Sequence, residues 1–186
     1  MEDAAGLPSL VEQARKGDAR AWESLYRRAY PRLLAYARRR LAGDEDAREA
    51  VSETMARAVR SIDRFRDTGN GFDAWLTGIH RHVVVDAQRR SWRQAAASDV
   101  PDSAVPGSSP EDHVLEEGER DAVRAAFARL PDDDRELLEL RVVMALSAEQ
   151  VGEVLGKRPG AVRMAQSRAL ARLRALLSQE AAIRHA

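Results

Sequence analysis

Residues 147–176 read SAEQVGEVLGKRPGAVRMAQSRALARLRAL, and the local signals in them favour two helices meeting at a glycine turn. Ser147, followed three residues later by Gln150, makes a capping box, in which each side chain satisfies a backbone N–H that a helix start leaves unpaired. Val151, Val154 and Leu155 then repeat at i, i+3 and i+4, and Gly156 supplies the left-handed residue that ends the first helix. Pro159 stands where a first helical position belongs, since its missing N–H costs nothing there. Val162, Ala165, Ala169, Leu173 and Leu176 form the inward stripe of the second helix. A short capped helix, a glycine turn and a longer helix predict a helix-turn-helix.

Upstream, Leu130-Pro131 and Asp132–Asp134 open a helix carrying Leu137, Leu138, Leu140 and Val142. In the N-terminal half, Asp18 can cap a helix with Trp22, Leu25, Tyr26 and Ala29 on its apolar side, and Pro31 fits the first turn of a continuation through Leu33, Leu34, Ala37 and Leu41. Gly43 ends it. Asp44 starts another, with Ala47, Ala50, Val51, Thr54, Ala58 and Val59 on one side. After a short connection around Arg66–Gly71, Phe72, Trp75, Leu76, Ile79 and Val83 mark a third at i, i+3, i+4, i+7 and i+11. Strand-like alternation appears nowhere at convincing length, so the fold class is all-α. Residues 98–112 read SDVPDSAVPGSSPED, with three prolines, four serines and no basic residue, a composition that cannot bury enough apolar area to offset ordering. The chain is therefore expected to form two small helical domains, residues 1–95 and 116–186, joined by a flexible Pro/Ser-rich linker over 96–115. Each is near the lower size limit for an independent core.

Composition narrows the class further. The 186 residues carry 30 Lys+Arg against 30 Asp+Glu and no cysteine. Disulfide frameworks, thiolate zinc sites and cysteine nucleophiles are excluded. Hydrophobic content of 44% is enough for a core and argues against wholesale disorder. No window nears the roughly 18 uninterrupted apolar residues of a membrane span, and residues 1–10 lack a basic start of the secretory type. A cytoplasmic chain without membrane insertion is expected. Of the basic residues, 28 are Arg and two are Lys, beside 33 Ala, a bias that suits a GC-rich bacterial genome.

Zero net charge hides segregation. Residues 19–41 hold seven Arg and one acid, residues 44–53 five acids and one Arg, and residues 157–177 six basic residues and no acid. A neutral chain with separate basic and acidic faces can hold phosphates with one and a basic protein with the other. Arg163, Met164, Ser167 and Arg168, at i, i+1, i+4 and i+5, share a helical face turned away from the Val162/Ala169/Leu173 stripe. Arginine can take guanine O6 and N7 together, serine can donate or accept, and methionine can press on a thymine methyl. Arg158 and Arg172 are further DNA-binding candidates of this unit, and Arg172 and Arg174 read better as phosphate contacts or solvated charge.

With these elements in place, the chain resembles the bacterial RNA polymerase sigma factors of the sigma-70 family, extracytoplasmic-function (ECF) group. The similarity is carried by YRRAYPRLLAYARRRLAGDEDAREAVSETMARAV (26–59), IDRFRDTGNGFDAWLTGIHRHVVVDAQRR (62–90) and LPDDDRELLELRVVMALSAEQVGEVLGKRPGAVRMAQSRALARLRALL (130–177). It implies that the helix over Asp46–Val59 docks on the clamp coiled coil of the polymerase's largest subunit, through Asp46, Glu49, Val51 and Glu53. It implies that the segment Phe65–Arg90 binds and opens the minus-ten promoter element and captures an unpaired base, with Arg66, Asp67, Asn70, Arg81, His82, Arg89 and Arg90 as candidates. Unpaired bases stack on rings and their phosphates attract arginine. The resemblance further implies minus-thirty-five recognition by the helix-turn-helix, a contact with the polymerase flap, an anti-sigma partner, and no cofactor.

The chain departs from the family pattern at Gly78, where Arg is usual, at His80 for Ala, and at His82 for Asn. Ala50, Met55 and Val59 replace larger residues of the clamp-binding helix, and Met164 and Ala165 replace a commoner polar and basic pair. Two other readings compete. His82 and Asp86, at i and i+4, could share a metal, but two ligands without a third make a poor site. A solvated or DNA-facing histidine suits this helix better. Walker-type and GxGxxG loops are absent, so an enzyme is not expected. A regulator using only the helix-turn-helix would have no use for the acidic helix.

Overall fold

The computed structural model describes residues 6–67, 69–97 and 117–184. All but the first two positions of the predicted flexible linker lie outside them. Every regular element among the described residues is helical, as α1 (Leu7–Arg15), α2 (Ala19–Arg38), α3 (Asp44–Ser61), a single 3-10 turn (Ile62–Arg64), α4 (Gly71–Ala97), α5 (Glu117–Ala128), α6 (Asp132–Val142), α7 (Ala148–Leu155) and α8 (Pro159–Arg184). They fall into two compact units, Met1–Ser108 and Ser109–Ala186.

In the first unit, the Asp18 carboxylate accepts the Arg20 N–H at 2.8 Å and the Ala21 N–H at 3.3 Å, which fixes the start of α2. The helix runs unbroken through Pro31, whose ring faces outward. At the α2–α3 corner Asp44 bonds Arg38 and Arg48, each at 2.5 Å, and the acidic first turn Asp44–Asp46 complements the helix dipole where Gly43 offers no capping side chain. Leu25, Leu33, Tyr36, Val51, Leu76, Val83 and Val84 are buried between α2, α3 and α4, and a fully buried side chain of this kind contributes about 1.5–3 kcal/mol.

Two features here were not anticipated. The first is α1, which packs on α2, α4 and the 3-10 turn. The Trp22 indole N–H donates to Ala14 O at 3.0 Å and the Arg15 guanidinium to Phe65 O at 3.0 Å. The second is His80, which lies on the side of its helix opposite His82 and is wholly buried. Its Nε2–H donates to Leu33 O at 2.9 Å, because a carbonyl can only accept, so Nδ1 is the unprotonated nitrogen and faces the Thr54 hydroxyl at 2.8 Å. Thr54 is also 2.6 Å from Ala50 O, so its one proton lies between two acceptors. One imidazole thus ties α2, α3 and α4 together, and burial lowers its pKa from 6.5 to about 4, the Leu33 bond opposing.

In the second unit, Leu130, Leu138 and Ala169 form a core with Phe127, Leu170, Leu173 and Leu176 packed against it. Both halves of the capping box are present, with Ser147 N–H donating to Gln150 Oε1 at 2.8 Å and Gln150 N–H to Ser147 Oγ at 3.2 Å. Gly156 adopts φ 64°, which an L side chain would strain. Gly152 matters as much. Lys157 N–H donates to Gly152 O at 2.8 Å, and a Cβ on Gly152 would lie 2.6 Å from Lys157 O. The turn closes onto the helix only because that side chain is missing.

Candidate nucleic-acid interface

With Val162 and Ala169 buried in the second unit, α8 turns Arg163, Met164, Ser167 and Arg168 outward, all exposed, Met164 by 63%. A methionine left this bare suits contact with a thymine methyl better than core packing. Arg158, at the turn, is exposed as well. Two of the arginines carry internal partners. Arg163 Nη1 bonds Glu149 Oε1 at 2.9 Å, and Arg172 bonds the nearly buried Asp134 carboxylate, pinning α8 to α6. Arg172 therefore has a structural duty that spacing alone did not show.

In the first unit, the loop between the 3-10 turn and α4 is organised from below. Phe65, Phe72 and Trp75 form a triangle of rings with centroids 5.1–5.9 Å apart, Phe72 buried and Trp75 half-buried. Asp67 Oδ1 accepts N–H bonds from Gly69 at 2.9 Å and Gly71 at 3.1 Å, so this residue shapes the loop, and its negative charge is no phosphate ligand. Arg66 is exposed and donates to Asp63 O at 2.7 Å and Phe65 O at 3.0 Å. Asn70 and Arg81 are half-buried, and Arg89 and Arg90 are exposed. His82 is exposed; its Nδ1–H donates to Gly78 O at 2.7 Å, leaving Nε2 as the nitrogen offered to a ligand.

An open hollow of about 530 Å³ lies between α3 and α4, lined by Arg57, Arg60, Ser61, Arg64, Ile79 and His82. Sequence reading missed its three arginines, although their i, i+3, i+7 spacing at the far end of the acidic helix is the signal that would have found them. Ile79, expected in the core, is half-buried and lines the hollow. Beyond it α4 carries Trp92, 79% exposed, flanked by Arg89, Arg90 and Arg93, the mix of ring and charge that single-stranded nucleic acid favours.

The acidic face of α3 needs one correction. Val51 has no exposed surface, so it cannot touch a partner and instead seats α3 on its own core. Asp46 and Glu49 are exposed. Glu53 is half-buried, bonded to Arg57 at 2.7 Å and Arg60 at 3.4 Å. The Arg57 hydrogen bond holds its carboxyl below the usual carboxylate range, with Arg60 and Arg90 adding to the effect. Much of its charge is spoken for. Asp86 is likewise 3.6 Å from Arg57, and among the described residues no group of three or more His, Asp or Glu is placed to hold a metal. No helix among them is long and apolar enough to cross a membrane.

The same residues match known families. Residues 25–94 match the Sigma-70 region 2 model and residues 120–173 the Sigma-70, region 4 model. The chain is 38% identical to the ECF RNA polymerase sigma factor ShbA of Streptomyces griseus, over 93% of this chain and 96% of that one. It is 34% identical to the ECF RNA polymerase sigma factor BldN of Streptomyces coelicolor, over 96% of this chain and 69% of that one. Its fold matches that of CnrH, solved in complex with the cytosolic domain of CnrY, with a TM-score of 0.69 and 25% identity, covering 94% of this chain and 98% of that one. Two helical units with these motifs in this order, matched almost end to end, place the chain in the extracytoplasmic-function group of the sigma-70 RNA polymerase sigma factors.

Proposed function

We propose that the chain binds core RNA polymerase and directs promoter-specific initiation with a residue-level division of labour. Residues 1–95 grip the clamp coiled coil through the exposed Asp46 and Glu49, with Glu53 in a paired, secondary role. The hollow lined by Arg57, Arg60, Arg64 and His82, with Arg66, Asn70, Arg81, Arg89 and Arg90, holds the opened minus-ten strand. Residues 116–186 read the minus-thirty-five duplex through Arg163, Met164, Ser167 and Arg168, and Arg158 adds a phosphate contact. Residues 96–115 connect the two. The factor works in the cytoplasm beside the polymerase, which supplies the catalysis, and an inhibitory protein covers it when idle, as CnrY accompanies CnrH.

The observation that carries this reading over a regulator built on the helix-turn-helix alone is the exposed row of carboxylates on α3, which duplex DNA would repel and a basic protein surface would bind. The test is run-off transcription on genomic fragments, with gel shift in the presence and absence of core enzyme. Weak, salt-sensitive DNA binding by the chain alone and specific transcripts with core enzyme are expected. Arg163→Ala should cost about 1–3 kcal/mol of promoter discrimination. Operator binding indifferent to core enzyme would replace this reading with the regulator.

A further inference from the structure

We propose that Glu149 is a positioning residue for promoter reading: its carboxylate holds the Arg163 guanidinium by one nitrogen, so that the remaining edge is presented, already aligned, to a base pair. The inference rests on the reading of α8 given above and adds a residue from a different helix to it. Glu149 is the second residue of α7, and Arg163 is the fifth of α8, 14 positions later across the glycine turn. Nη1 of Arg163 is 2.9 Å from Glu149 Oε1, which leaves Nε and Nη2 as a free two-donor edge, the geometry that guanine O6 and N7 require.

The carboxylate is itself anchored. The Glu149 backbone N–H, the Ser147 hydroxyl and then Arg163 hold it below the usual carboxylate range. An unrestrained arginine loses rotamer entropy when it is fixed against a base, and an anchored partner removes part of that loss before DNA arrives. Both side chains are more than half exposed, so the pair contributes little to the stability of the free protein. A first-turn acid that merely complemented the α7 dipole would be a liability on a DNA-facing surface, because it repels phosphate. The two roles predict different signs. A complement to the dipole should, when neutralised, raise affinity for all DNA alike. A positioning residue should lose selectivity at one base pair while sequence-independent affinity holds or rises.

The experiment uses the full chain assembled with core polymerase and a promoter selected by that holoenzyme from a pool randomised at the minus-thirty-five element. Binding is measured to the selected duplex, to its single-base-pair substitutions and to unrelated duplex. Glu149→Gln, which keeps size and removes charge, should lower discrimination about tenfold at the base pair that Arg163→Ala also loses, and leave the other positions within about twofold. In the Arg163→Ala background the same change should do nothing. An equal loss at every position, or an effect that survives undiminished without Arg163, would overturn the proposal, the latter by making Glu149 a base contact of its own, to a cytosine amine. If Arg163→Ala changes no base preference at all, the assignment of the reading face fails instead, a separately visible result.

Discussion

A histidine whose two nitrogens are both committed inside a helical core is a pH-dependent stability element, and His80 is one. Its folded pKa, about 4, lies below the ordinary 6.5, so the neutral form belongs to the folded state. The stabilisation is complete above pH 6.5 and is lost as pH falls toward 4. The upper bound is about 3 kcal/mol. A protonated Nδ1 could donate to Thr54 Oγ1 while that hydroxyl donates to Ala50 O, which returns part of the loss. Urea unfolding of the full chain at pH 7.5, 6 and 5 should show a falling midpoint, and His80→Ala should flatten the portion between pH 6.5 and 4. An unchanged slope in the variant would assign the effect to other groups. The sequence marks this burial only by spacing, since His80 stands four residues after Leu76 and three before Val83 on the inward stripe. Its two hydrogen-bond partners, supplied by α2 and α3, could not be read that way.

Local chemistry made the elements legible. The Ser147/Gln150 box, Gly156 and Pro159 each act within a few residues, so the helix-turn-helix could be read directly, and Asp18 and the acidic start of α3 did the same for the first unit, where α2 ends at Arg38, short of the Gly43 stop. What escaped depends on contacts distant along the chain. Gly152 sits inside a helix with ordinary torsions, and its need for a bare Cα comes entirely from Lys157 O folding back onto it. The Arg57/Arg60/Arg64 hollow needs α4 as its second wall. Gly152→Ala should therefore destabilise the second unit by about 1–3 kcal/mol, with strain rather than lost propensity as the cause. The check is the thermal unfolding of the full chain, where Gly160→Ala, with open space around its Cα, should leave Tm unchanged or raise it.

At the scale of the whole molecule, zero net charge conceals segregated acidic and basic segments, which under the proposed function answer to different partners. Asp46→Lys with Glu49→Lys should weaken binding to core polymerase at least about tenfold at low salt, with the gap narrowing as salt screens it. Fluorescence anisotropy against core enzyme measures this, and Glu53→Lys should have the smaller direct effect, because Glu53 already answers to Arg57 and Arg60. That α3 bears exposed carboxylates was legible in the sequence, although Val51 belongs to the interior. The N-terminal helix was not legible, and it lies ahead of the residues that the region 2 model matches. Arg15 nevertheless reaches the carbonyl of Phe65 at the root of the loop between the 3-10 turn and α4. Proteolysis between Lys16 and Asp18 that released α1 would spare every side chain proposed to meet enzyme or promoter and remove that strut. The clipped molecule should then act as a poison subunit, occupying polymerase without melting DNA and silencing the genes its intact form serves.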